Sequence, residues 1–187
     1  MKLILVRHGQ SEYNFENRFT GLADPDLTAK GREEAHMAGQ FLKAQKIEIA
    51  FVSPLQRTRN TLKIIQAEMA PIVLKTIETP LLNPRDYGAL TGMNKMQAIQ
   101  KFGMEKVLLW RRSYQVAPPK GESLKETTKR VSAYYQEQIL PYVQKHNVLI
   151  VGHGNTLRAL CMHLENITPS AIEKRELPNA IPIIYEL

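Results

Sequence analysis

Two histidines carry the strongest chemical signal in this chain of 187 residues. His8 ends the apolar run Leu3-Ile4-Leu5-Val6 and lies between Arg7 and Gly9. His153 ends the run Val148-Leu149-Ile150-Val151 and lies between Gly152 and Gly154. Such residues suit phosphoryl transfer. A neutral imidazole nitrogen can attack phosphorus and hold it covalently. The transferring group spreads negative charge over its equatorial oxygens, so catalysis is mostly positioning and charge stabilisation. Arginine offers paired donors in a planar fork, which makes Arg7 and Arg57, with His153, the natural clamp. Read alone, either histidine could be an ordinary loop residue and Arg57 a surface ion pair. The repetition of the segment at both ends of the chain, with Arg7 beside the first, favours one shared site.

The elements that must position these groups follow from the hydrophobic pattern. A short continuous apolar run reads as a strand buried on both faces, as in a parallel sheet under helices. Ligands bind just beyond the carboxyl ends of such strands. Strands are expected at residues 2–6, 49–52, 72–77, 147–151 and 182–186. Helical spacing covers 28–45, with Thr28 as N-cap and Ala35, Ala38, Phe41 and Leu42 on the inner face. Ser53-Pro54 reads as an N-cap followed by proline at the first helical position. That helix would run to Met69 with Arg57 in its first turn. Further helices are expected over 95–111 and from the capping box Ser123-Leu124-Lys125-Glu126 to Gln144, with Pro141 near its end. A last helix opens near Asn155 and would turn its amides toward an anion. Residues 80–94 are loop. The alternation predicts a single domain over 1–187: a three-layer α/β/α sandwich with a mostly parallel central sheet.

Composition narrows the partners. The net charge is +7, which suits an anion. The arginines are dispersed beside glycines and element ends, as in a pocket gathered from many loops. Nucleic-acid binding would want a basic stripe with stacking aromatics, so a small phosphorylated metabolite is the expected partner. No apolar run approaches the roughly 20 residues of a membrane span. Arg7 interrupts the N-terminal run before a signal peptide could form. The single cysteine, Cys161, reads as packing and fits a reducing cytoplasm. No spacing suggests a metal site.

The chain resembles the histidine phosphatase superfamily and, within it, the 2,3-bisphosphoglycerate-dependent phosphoglycerate mutases. The resemblance runs through Arg7-His8-Gly9-Gln10-Ser11-Glu12-Tyr13-Asn14, Asn17-Arg18-Phe19-Thr20-Gly21 and Ser53-Pro54-Leu55-Gln56-Arg57-Thr58. It continues through Tyr87-Gly88-Ala89-Leu90-Thr91-Gly92-Met93-Asn94-Lys95, Trp110-Arg111-Arg112-Ser113-Tyr114 and His153-Gly154-Asn155-Thr156-Leu157-Arg158. Arg-His-Gly marks only the superfamily; the later segments are specific to mutases. The resemblance implies a phosphoglycerate mutase-like fold and interconversion of 2- and 3-phosphoglycerate, primed by 2,3-bisphosphoglycerate and without a metal. It makes His8 the phosphorylated nucleophile and His153 the stabiliser of the transition state. Arg7 and Arg57 would grip the phosphoryl group with Ser11, Asn14, Gly154 and Asn155. Gly9, Gln10, Glu12, Tyr13, Thr20, Gly21, Pro84, Arg85, Asp86, Tyr87, Lys95, Arg111 and Arg112 complete the expected substrate contacts. Family members often pair as homodimers.

The match breaks at one position. The family carries a glutamate, the proton donor to the leaving oxygen, directly before Arg-x-Tyr-Gly; here that residue is Pro84. Proline has no proton to give. Three readings follow: Asp86 takes over as catalytic acid, the mutase is impaired, or the chain is a histidine-type phosphomonoesterase or a non-catalytic binder of phosphometabolites. Family mutases also continue past the last strand with a tail over the site, whereas this sequence ends at Leu187. Without that cover, hydrolysis of the phosphohistidine is expected to be high relative to isomerisation.

Overall fold

The computed structural model describes residues 1–187. Five strands form one sheet: β1 (Lys2–Arg7), β2 (Ile49–Val52), β3 (Lys75–Glu78), β4 (Val148–Gly152) and β5 (Ile183–Glu186), in the order β3-β2-β4-β1-β5. All pairings are parallel except β1 with β5. The helices are α1 (Glu12–Phe15), α2 (Ala29–Leu42), α3 (Gln56–Glu68), α4 (Lys95–Phe102), α5 (Met104–Arg112), α6 (Leu124–Tyr134), α7 (Leu140–Val143), α8 (Gly154–Glu165) and α9 (Pro169–Ile172).

The strand period of two sorts the central runs onto two cores. Leu3, Leu5, Phe51, Val148 and Ile150 pack with Val131, Leu157 and Leu160 of α6 and α8. Ile4, Val6, Ala50, Leu149 and Val151 pack with Ala38, Leu42, Leu62 and Ile65 of α2 and α3. Strands covered on both faces need no polar alternation, and β1, β2 and β4 have almost none. This is the expected three-layer sandwich. A smaller cluster of Phe19, Leu90, Ala98, Val107 and Trp110 holds α4 and α5 over the sheet's carboxyl edge.

Several local expectations are corrected. The helix expected over 95–111 is two helices, because Gly103 takes φ 87° between them, a left-handed geometry open to glycine. The helix expected to reach Gln144 widens into a π-helical turn at Tyr135–Ile139 before α7. Pro141 lacks an N–H and its ring would strike the carbonyl four residues earlier, and the wider turn relieves that clash. Phe41 is 55% exposed while Leu42 is fully buried, since the inner stripe of α2 follows Ala35, Ala38 and Leu42. The third strand is Lys75–Glu78 rather than 72–77; its bounds are set by pairing with β2, from Ile49↔Lys75 to Val52↔Glu78.

Candidate active site

Strand register brings the two histidines together. Arg7 of β1 pairs with Gly152 of the adjacent parallel β4, and the His8 amide donates to the Gly152 carbonyl at 3.0 Å. Both chains leave the sheet in the same direction at the same level. The imidazole centroids lie 5.2 Å apart with the planes at 62°, and the residues are only 4% and 2% exposed.

The two rings are held differently. His8 Nδ1 lies 2.7 Å from the Gly9 carbonyl. A carbonyl only accepts, so Nδ1 carries the proton and Nε2 presents its lone pair. Asn179 Nδ2 donates to the His8 carbonyl at 2.7 Å. His153 Nε2 lies 2.7 Å from Ser53 Oγ, which is also 2.8 Å from Thr58 Oγ1. Ser53 was expected to cap α3. Instead α3 begins at Gln56 after Leu55, with no side-chain cap, because the hydroxyl is engaged by His153 and Thr58. His153 Nδ1 is buried and has no partner within the protein. Burial holds both imidazoles well below the ordinary value of 6.5, and the charge of Arg57 adds to the effect. Both rings are therefore neutral at physiological pH, and His8 Nε2 is free to attack.

The cations around them are fixed by backbone carbonyls. Arg57 Nη1 donates to Ala23 O at 2.8 Å and Nη2 to Gly21 O at 3.1 Å. Burial lowers its pKa to about 10, opposed by Asp24, so the charge remains. Arg7 Nη1 donates to Leu177 O at 2.7 Å. Arg85 Nη2 donates to Trp110 O and Arg111 O, both at 3.0 Å. Arg158 donates to Asn155 Oδ1 at 3.0 Å and to Ile172 O, and burial lowers its pKa to about 10. Lys95 Nζ donates to Asn17 Oδ1 at 3.2 Å; burial first, then Arg111, lowers its pKa. The Nε atoms of Arg7, Arg57, Arg85 and Arg158, and Nη1 of Arg85, have no protein partner. Donors left over in this way suit anionic oxygens.

These groups enclose a cleft of about 220 Å³. Of the expected residues, Arg7, His8, Asn14, Thr20, Gly21, Arg57, Pro84, Arg85, Tyr87, Lys95, Arg111, Arg112, His153, Gly154 and Asn155 line it. Others support its wall from behind. A Cβ on Gly9 would stand 2.1 Å from the Gly31 carbonyl. Gln10 N donates to Glu34 Oε2 at 2.8 Å, Ser11 caps α1 with a capping box, and Arg18 packs over the Tyr13 ring at 5.6 Å. Glu12 is exposed, with its amide on the Asp26 carbonyl.

Asp86 does not line the cleft. Its Oδ1 accepts from the Gly88 amide at 2.8 Å, a local turn that suits a short carboxylate. Glu122 likewise pairs with Arg130 at 2.9 Å. Sequence reasoning missed Arg18, Phe19, Glu176 and Leu177 as lining residues, and counted Arg158 only among the dispersed arginines that suit a pocket. Arg18, Phe19 and Arg158 lie within segments that carried the resemblance. Glu176 and Leu177 come from irregular chain that has no motif, and only tertiary folding lays them across the cleft.

Residues 3–186 match the histidine phosphatase superfamily (branch 1), and the chain belongs to that superfamily. Among curated proteins it is 52% identical to the 2,3-bisphosphoglycerate-dependent phosphoglycerate mutase of Afipia carboxidovorans, over 99% of this chain and 91% of the relative. It is 50% identical to the phosphoglycerate mutase of Schizosaccharomyces pombe, over 99% of this chain and 89% of that one. Among solved structures, a mycobacterial glucosyl-3-phosphoglycerate phosphatase superposes with a TM-score of 0.85 at 23% identity, covering 98% of this chain and 88% of that one. At that identity the likeness concerns the fold.

Proposed function

We propose that this chain interconverts 2- and 3-phosphoglycerate through a phosphohistidine at His8, primed by 2,3-bisphosphoglycerate. One observation carries the reading: two neutral imidazoles share a small cleft with Arg7, Arg18, Arg57, Arg85, Lys95, Arg111, Arg112 and Arg158, against the single carboxylate of Glu176. Hydrolysis of one phosphate would need fewer such cations. A substrate bearing a carboxylate and up to two phosphates needs more. The names of the curated relatives support the same reading.

In this reading His8 Nε2 attacks phosphorus. Arg7, Arg57 and the amides opening α8 at Gly154 and Asn155 neutralise the equatorial oxygens, and His153 donates from Nδ1. Arg85, Lys95, Arg111, Arg112 and Arg158 hold the rest of the glycerate. The guanidinium N–H groups without protein partners fit a doubly phosphorylated glycerate as primer. Charge stabilisation comes from these residues. A cytoplasmic setting and a homodimer belong to the same reading, checked by fractionation and light scattering.

The test is incubation with 2,3-bisphosphoglycerate carrying labelled phosphate. An acid-labile phosphoprotein and net formation of 2-phosphoglycerate from 3-phosphoglycerate are expected, and His8→Ala should lose both. Release of inorganic phosphate without isomerisation would overturn the mutase reading. Labelling retained in His8→Ala would remove His8 from the nucleophile role.

A further inference from the structure

When a histidine nitrogen takes phosphorus from an alkyl phosphate, the departing oxygen is an alkoxide and needs a proton. The cleft must therefore contain a group that can release one. Arginine keeps its proton too tightly. Pro84, on the cleft wall, has none. Glu176 is ion-paired with Arg112 at the rim, with its side chain 69% exposed. Lys95 has its ammonium directed to Asn17. His153 has the phosphoryl oxygens to neutralise. The remaining titratable group is the phenol of Tyr87.

The surroundings of Tyr87 suit a donor. Its ring is wedged between Phe19, at 5.0 Å between centroids, and the Arg85 guanidinium, at 4.7 Å. Its Oη lies 3.3 Å from Asn155 Nδ2. The Asn155 amide is oriented by Arg158, which donates to its Oδ1. Nδ2 can only donate, so Tyr87 Oη is an acceptor in this bond. The phenolic proton is thus left for the cleft. Asn155 stands in the first turn of α8, whose N-cap is His153, and Tyr87 lines the same cleft as both histidines.

We infer that Tyr87 is the general acid of this chain, donating its phenolic proton to the oxygen that leaves as His8 takes the phosphoryl group. The inference rests on the phosphohistidine reading above. In the step, the His8 Nε2 lone pair forms the N–P bond. The P–O bond breaks with its electron pair on oxygen, and that oxygen takes the proton from Tyr87 Oη. The phenolate formed faces Arg85, Lys95 and the Asn155 amide. In the return step a glycerate hydroxyl gives its proton to the phenolate as it attacks the phosphohistidine, so proton and phosphoryl group are both restored. Burial pushes the Tyr87 phenol up, but the charge of Arg85, hydrogen bonds from Arg85 and Asn155 and the charge of Lys95 together bring its pKa down to about 8, close enough to neutrality for transfer in both directions.

The experiment compares leaving groups in the full chain. Tyr87→Phe keeps the ring packing and removes the hydroxyl, with its proton and its bond from Asn155. Isomerisation of 3-phosphoglycerate should fall by about 100-fold more than turnover of p-nitrophenyl phosphate, whose leaving group needs no proton. In the Tyr87→Phe background, Pro84→Glu should recover at least about 10-fold of the loss by returning a proton donor to the cleft wall. Equal losses on both substrates would overturn the inference and reduce Tyr87 to a packing or binding group. Should Tyr87→Phe not fold, 3-fluorotyrosine at position 87 keeps the hydroxyl and acidifies it. The alkaline limb of kcat/KM should then move to lower pH, and an unmoved limb would overturn the inference. Failure of the unaltered protein to isomerise phosphoglycerate would instead sink the underlying reading.

Discussion

Ser53 Oγ and His153 Nε2 stand 2.7 Å apart across two adjacent parallel strands, one hundred residues distant in the chain. With Ser53 donating, the neutral imidazole carries its proton on Nδ1, the atom left free of protein partners. Ser53→Ala removes this control over the tautomer. It should lower kcat by about 10-fold or more with a smaller change in KM. It should also cost about 1–3 kcal/mol of stability through the buried nitrogen left unpaired. Steady-state kinetics and denaturant unfolding check both; unchanged kcat would show that the serine only packs.

The histidines make stability depend on pH. His8 and His153 have folded pKa values well below the 6.5 of an exposed ring, chiefly through burial. Below about 6.5 the unfolded chain binds protons that the folded chain refuses, so ν for the unfolded state exceeds ν for the native state and stability rises with pH. The contribution is complete above 6.5 and is lost as pH falls toward the folded values. Melting temperature should therefore drop between neutral and mildly acidic buffer, and His153→Gln should flatten that slope.

Arg85 links the cleft to α5. Its Nη2 satisfies the carbonyls of Trp110 and Arg111, and its charge acidifies Tyr87. Arg85→Met should destabilise by about 1–3 kcal/mol, since buried carbonyls lose their donor. The alkaline limb of kcat/KM should move to higher pH as the phenol loses its cation. A pH–rate profile beside a melting curve tests both consequences.

Glu176 is the single carboxylate lining the cleft, and it pairs with Arg112. Glu176→Gln removes a charge that opposes incoming phosphates. Because the group is well exposed, the effect should be modest, a fall of about 2- to 5-fold in the inhibition constant of inorganic phosphate. The gain should shrink at high salt; a weaker inhibitor would contradict the electrostatic account.

Gly9 and Gly31 meet backbone to backbone. A Cβ on Gly31 would stand 2.1 Å from the Gln10 carbonyl. Backbone cannot swing aside as a side chain does, so Gly31→Ala should cost about 3 kcal/mol or more and displace the loop carrying His8. Thermal unfolding and the extent of His8 phosphorylation would both report it.

Much of the site was legible because its groups sit where regular structure ends. His8 and His153 each follow a buried apolar run, and parallel register leaves little choice about where such residues meet. The capping box at Ser123 is likewise local chemistry written over four residues. The bounds of the third strand and the break at Gly103 were not legible, since edge pairing and a left-handed glycine leave no periodic trace.

Residue order therefore determined the sheet, the paired imidazoles and the surplus of positive charge, because burial period and strand direction are properties of short segments. Tertiary structure decided which groups face the cleft. It turned Asp86 onto its own backbone, moved Ser53 from a helix cap to His153, and drew Glu176 and Leu177 across the opening. Those outcomes depend on competition among distant hydrogen-bond partners for the same atom, and no spacing along the chain encodes the winner.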